Sequence, residues 1–179
     1  MNIKDLIKKS LDFIIKRVAE IVGILFICTS ILLLISLISY SSGDPNFIFT
    51  ENIQIKNILG FRGSYISDLF FQSIGLASFL ISFTIFFTGT NLIINKNFLV
   101  IIENIFYSIV YSILGSLFFT IFFPDSFWLT INGNGGFVGN FFQNTFLSNL
   151  INLNKEIFFF ILIILILFIF LISIKICTF

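Results

Sequence analysis

The stretch Ile21–Gly43, IVGILFICTSILLLISLISYSSG, decides the fold class. It runs for 23 residues without Asp, Glu, Lys or Arg. As a helix rising ~1.5 Å per residue it reaches about 34 Å, enough to cross a hydrocarbon core of roughly 30 Å. Three more such runs follow. One is Leu69–Asn95, one starts after Glu103 and is stopped by Pro124, and one is Ile157–Ile174, framed by Glu156 and Lys175. A backbone in lipid has to satisfy its own hydrogen bonds, so each run reads as a helix. The expected fold is an all-α integral membrane protein. It is a four-transmembrane-helix bundle with spans at about 20–42, 69–94, 104–123 and 157–174, preceded by a short amphipathic helix.

Composition agrees. Of the 179 residues, 58% are hydrophobic and 11% charged, against roughly 25% charged in a soluble domain. The net charge of +1 gives no field to steer nucleic acid to the chain, so no direct nucleic-acid binding is expected. There is no His, which excludes a His-ligated metal, a Ser-His-Asp triad and a His proton relay. Cys28 and Cys177 each sit in an apolar run near opposite ends of the chain and read as packing residues. No catalytic residue, cofactor site or metal site is expected. A secretory signal is the rival reading of the first run. Its apolar part exceeds the roughly 7–15 residues of such a signal, and no Ala-containing small-x-small site follows, so a retained helix is expected.

Basic residues set the orientation. Lys4, Lys8, Lys9, Lys16, Arg17, Lys96 and Lys175 fall on one side; Lys56, Arg62 and Lys155 fall on the other. Seven against three places both termini in the cytoplasm. The outside loops are then about 41–68 and 125–156, and a short inside loop, about 95–103, joins the second and third spans. Ile3, Ile7, Leu11, Ile14 and Val18 recur at helical spacing among lysines. Residues 1–20 are therefore expected as a cytoplasmic amphipathic helix on the inner leaflet, with 21–175 forming the membrane domain. The other reading is an extension of the first span.

Small residues let membrane helices approach closely. The third span carries Ser108, Ser112 and Ser116 at i+4 steps; the second carries Gly75, Ser82 and Gly89 at i+7 steps; the first carries Gly23 and Ser30. The second and third spans are expected to form the tight centre. The fourth, built of Ile, Leu and Phe up to Ile172, is expected to be looser and more lipid-exposed.

The loops hold turn chemistry: Ser39-Tyr40-Ser41-Ser42-Gly43-Asp44-Pro45, then Asn57 to Asp68, then Asn132-Gly133-Asn134-Gly135-Gly136-Phe137-Val138-Gly139. The Gly-rich stretch has no preceding strand and no following Lys, so it reads as a turn into a re-entrant or interfacial segment, not a phosphate loop. In order, these pieces are SYxxxDP (Ser39, Tyr40, Asp44, Pro45), NxxGxxGxxxxD (Asn57, Gly60, Gly63, Asp68), Gly75, and GGxxG (Gly135, Gly136, Gly139). Over residues 20–174 the chain resembles the N-terminal four-helix membrane domain of FtsK/SpoIIIE-type DNA translocases. The resemblance implies a membrane anchor and assembly domain in the bacterial inner membrane at the division septum. It also implies a homo-oligomer, hexameric in that family, and septal division proteins as partners. The family's ATPase motor is absent from these residues, which hold no G-x-x-x-x-G-K-[ST], so the chain by itself is expected to be no enzyme. The competing function is a small transporter or channel subunit. That reading needs charged or polar groups along a midplane path, where the spans offer only Ser, Thr and Gln72.

Overall fold

A computed structural model describes residues 3–46, 54–125, 129, 131–144, 151 and 154–174. Among them the chain is helical and contains four candidate membrane spans. The elements are α1 (Ile3–Ile38), α2 (Gly60–Ile74), a 3-10 turn (Gly75–Ala77), α3 (Ser78–Asn95), α4 (Leu99–Phe122), α5 (Gly136–Gln143) and α6 (Lys155–Ile174).

Two expectations need correction. Residues 3–18 are helical, but they do not form a separate element: α1 runs unbroken for 36 residues into the first span. No Gly or Pro precedes Gly23, so nothing in the backbone provides a hinge. The second span, in turn, is not one helix starting near residue 69. Residues 60–74 form α2, and the chain breaks at Gly75, whose φ of 60° lies in the left-handed region. The candidate span runs over Gly60–Asn95, with α3, 18 residues or about 27 Å, as its longer helix. The outer loop expected at about 41–68 therefore ends at α2, and the inner loop shrinks to 96–98. Lys96 closes α3 in a left-handed conformation.

Among the spans, the facing glycines bring α1 against α3, rather than the second span against the third. A methyl group on Gly23 would lie 2.7 Å from the Gly89 carbonyl oxygen, and one on Gly89 would lie 2.6 Å from the Gly23 carbonyl oxygen. Seven residues further along each antiparallel helix, Ser30 and Ser82 are buried and border the same crevice. The i+7 small residues of both helices thus face each other, and backbones touch where side chains are missing. Continuing that register sets Gly75 level with Leu37, at the C-terminal end of α1. There Leu37, Phe71 and Leu129 are buried together. At the opposite end Glu20 receives Arg17 at 2.6 Å and Lys96 at 2.7 Å, clipping α1 to the α3–α4 turn.

The fourth span packs by shape alone over most of its length. Phe118 and Phe122 of α4 meet Phe159 of α6 with ring centroids 5.4 Å and 5.1 Å apart. Only Leu162, Ile166 and Ser173 of α6 are buried, and it is the least buried of the four spans.

Candidate functional site

The motif residues gather into two buried knots at the end of the bundle where α1 stops, its outer end in the expected orientation. The first ties the end of α1 to the start of α2. Asp44 accepts the backbone N–H of Lys56 (2.9 Å) on one carboxylate oxygen and that of Asn57 (2.8 Å) on the other. Asn57 passes the link on. Its Nδ2 donates to the Ser36 carbonyl (2.9 Å) and to Ser67 Oγ (3.4 Å), while its Oδ1 accepts Leu59 N–H. Ser36 Oγ donates to the Gly63 carbonyl at 2.6 Å, and Ser64 Oγ to the Pro45 carbonyl at 2.6 Å. Gly63 is required because a β-carbon would run into Asn57 Oδ1. Asp44 and Asn57 are only 6% and 4% exposed. Gly60, at φ 64°, makes the turn into α2.

The second knot forms where Gly75 breaks the chain. Leu76 N–H donates to the Asn134 carbonyl at 2.9 Å. A β-carbon on Gly75 would collide with that same Asn134 carbonyl. Gly136, also left-handed at φ 67°, lies so close that its β-carbon would sit 2.6 Å from Gly75 N. Gly135 and Gly139, four apart, lie directly on Ser116 and Thr120 of α4, also four apart. Ser116 Oγ reaches across to the Ile74 carbonyl at 3.0 Å, and Thr120 Oγ1 bonds its own helix at Ser116 O. The GGxxG stretch is therefore the seam that seats α5 on α4. Asn134 Nδ2 caps the loose end of α4 at the Phe123 and Asp125 carbonyls.

A side-chain relay joins the knots. Tyr40 OH donates to Asp68 Oδ1 (3.2 Å), Gln72 Nε2 donates to the same oxygen (3.4 Å), and Asn132 Nδ2 donates to Gln72 Oε1 (2.9 Å). Asp68 is thus a buried acceptor, not a residue at a wetted span end.

A third polar group lies deeper, between α3, α4 and α6. Thr84 Oγ1 pairs with Tyr111 OH at 2.8 Å and with Ser173 Oγ at 3.2 Å, and Asn104 Nδ2 donates to Thr88 Oγ1 at 2.7 Å. Ser108 is half-buried beside this group, bonded to the Asn104 carbonyl. Ser112, next along the stripe, is buried with no partner for its hydroxyl. Sequence reading singled out the serines and passed over Thr84, Asn104 and Tyr111. The usable signal was an Asn and a Tyr inside an otherwise apolar run.

Chemically, both knots are saturated. Every carboxylate oxygen of Asp44, and the motif amide of Asn57, is turned inward and used. Among the described residues no three His, Cys, Asp or Glu side chains converge as a metal would require. The arrangement fixes backbone geometry; beside the first knot, Ser36 and Arg62 border a cavity of about 450 Å³.

The family model for the 4TM region of DNA translocase FtsK/SpoIIIE matches residues 15–179. A DNA translocase FtsK of Rickettsia bellii is 37% identical over 73 residues, 41% of this chain and 9% of that protein. One from Rickettsia prowazekii is 37% identical over 59 residues, 33% of this chain and 8% of that protein. One from Azospirillum brasilense is 28% identical over 87 residues, 48% of this chain and 14% of that protein. The chain thus matches a small fraction of the length of these relatives. No solved structure matches it. With the four spans and the family match in hand, this multi-pass membrane chain belongs to the 4TM region of FtsK/SpoIIIE DNA translocases.

Proposed function

We propose that this chain is the membrane anchor and assembly domain of a DNA translocase acting in cell division and chromosome segregation. It sits in the bacterial inner membrane at the division septum, with both termini cytoplasmic. It assembles as a homo-oligomer, a hexamer by family likeness, and meets septal division proteins without touching nucleic acid itself. The observation that carries this reading is the pair of saturated knots. They lock the outer ends of the helices into one preformed platform and leave their polar groups spent on the fold. Partner recognition then falls to the exposed side chains next to the knots, such as Ile58, Phe61 and Arg62 on one and Phe137 and Phe141 on the other. The basic-residue asymmetry supplies the sidedness, and the Glu20–Lys96 pair puts the base of the first span beside the α3–α4 turn.

The transporter alternative has in its favour a crevice of about 240 Å³ bordered by Thr84, Thr88, Asn104 and Ser108, and one of about 450 Å³ bordered by Ser36 and Arg62. The groups of the first are bonded to one another with no charged residue at its border, and Arg62 of the second lies in the first turn of α2, away from the middle of a span. The test is direct. Reporter fusions after Gly43 and near Asn134 score periplasmic, one near Lys96 scores cytoplasmic, and a fluorescent fusion gathers at the septum. A periplasmic score at Lys96, or ion flux through the purified chain in vesicles, overturns the proposal.

A further inference from the structure

α1 has two faces, and among the described residues only one is buried against the rest of the chain. The inner face carries Ala19, Gly23, Ser30, Leu33 and Leu37, all buried against the rest of the bundle. The outer face carries a second, independent register. Ile7, Leu11, Ile14 and Val18 lie on it in the half of α1 that precedes the charge-free run, each 44% to 55% exposed. Ile21, Leu25, Cys28 and Leu32 continue it inside the membrane-spanning half, again all exposed. The spacing is 4-3-4-3-4-3-4 without a slip. Apolar residues repeating every 3.5 positions are what two or more helices need to wind around each other.

Lipid alone does not account for this face. Lipid rewards hydrophobicity at any phase, yet the register stays in phase from the lipid half into the half flanked by Lys8, Lys9, Lys16 and Arg17. In that second half the stripe is apolar outside the expected hydrocarbon core, and the unbroken helix has no hinge to lay it flat on the membrane. The partner has to be a helix that leaves the bilayer at the same level and continues beside α1. A second copy inserted in the same orientation presents that helix, parallel and in register.

We propose that copies of this chain assemble through the outer face of α1 as a parallel coiled coil that continues from the membrane into the basic segment. This inference deepens the assembly role proposed above and rests on it. The core choice indicates more than two helices: Ile occupies the d positions 7, 14 and 21, and Leu or Val the a positions 11, 18, 25 and 32. Leu at a with Ile at d disfavours a two-stranded assembly. Exposed Ile15, Ile24 and Ile31 widen the same stripe, as a larger assembly requires.

Cys28, a d position, makes the test available without a foreign probe. In cell membranes containing the Cys177→Ser chain, mild oxidation with a copper–phenanthroline catalyst should link Cys28 to Cys28 of a neighbour, giving a band at twice the chain mass. Moving the cysteine to another d position (Cys28→Ser with Ile21→Cys or Ile14→Cys) should keep the link. Moving it to the inner face (Cys28→Ser with Ser30→Cys) should abolish it. Adding Leu11→Asn and Ile14→Asn to the Cys177→Ser chain should lower Cys28 linkage at least tenfold at unchanged membrane levels. Size measurement in nanodiscs should give more than two copies. Equal linkage at positions 28 and 30 signals random collision and overturns the proposal. An oligomer that forms with no linkage at 14, 21 and 28 overturns the α1 contact but leaves the assembly role standing. A strict monomer in nanodiscs overturns both.

Discussion

The outer end of the bundle and the fourth span are held by opposite means. At the outer end, buried carboxylates, amides and glycines meet partners at fixed positions, and few other side chains would fit. Along α6, Leu, Ile and Phe lie against α4 with no hydrogen bond between Phe158 and Phe170 that crosses helices, among the described residues. In lipid, apolar contact distinguishes poorly between one helix neighbour and another, because the tails are as apolar as the side chains. Polar knots and backbone-to-backbone glycine contacts do the distinguishing. The outer end therefore specifies the arrangement, and α6 fills it out.

The largest way to break this contrast is at the break itself. Gly75→Leu or Gly136→Leu puts a side chain on a left-handed residue, worth roughly 1–3 kcal/mol of strain, and drives it into backbone that has no room to move. Loss of the folded state is expected, seen as aggregation on detergent extraction. A variant that extracts and melts like the parent would show that the seam can open. Next, Asp44→Ala frees the exposed Lys56 N–H and strands the buried Asn57 N–H, which costs about 1–3 kcal/mol when unpaired. A fall of about 1–3 kcal/mol in a detergent unfolding titration is the expected result. By contrast Arg62→Glu or Ile58→Asp, both on the exposed rim, should leave that titration unchanged while lowering septal recruitment of a fluorescent fusion. Normal recruitment in both would remove the rim from the recognition surface.

The deeper polar group sharpens the comparison with a smaller effect. Thr84→Val deletes bonds to Tyr111 and Ser173 that sit within the membrane, where such bonds are worth about 0.6–2 kcal/mol. A loss in that range, removed by the paired change Tyr111→Phe in a double-mutant cycle, is expected. The smallest effects belong to Phe168→Leu on the lipid side of α6 and to Ser112→Ala, which removes a buried hydroxyl that has no partner. Both should stay within ~0.5 kcal/mol of the parent. A large loss from Ser112→Ala would mean its hydroxyl finds a partner in the membrane.

How far the sequence carries is visible in particular residues. The four spans follow from charge-free length, a local property, and Gly23, Ser30, Ser82 and Gly89 announce their packing by i+7 spacing. Which helix each small face meets is not local. Gly89 finds Gly23 rather than the third span because the chain reverses direction between α1 and α2, so that α3 runs back along α1. The motif residues were legible as turn formers, yet their burial was not. Asp44 reads as a turn residue and Asp68 as a residue at a span end until Asn57, Tyr40 and Gln72 arrive from elsewhere in the chain to surround them. The amphipathic pattern of residues 3–18 was correct as a period and misleading as a separate element, since a period does not say where a helix stops.

The break at Gly75 also sets an order of events during synthesis. Leu76 N–H has its acceptor on Asn134, and the Ile74 carbonyl has its donor on Ser116. Both partners lie downstream, one in the third span and one in the loop after it. The second span can be translated and inserted before either exists, but its outer end cannot close. The ribosome must first deliver the third span and then the glycine seam. The step that completes this domain is consequently late and concerted: residues 132–139 arrive as the keystone, and one glycine-to-glycine contact tells α2, α4 and α5 that all of them are present.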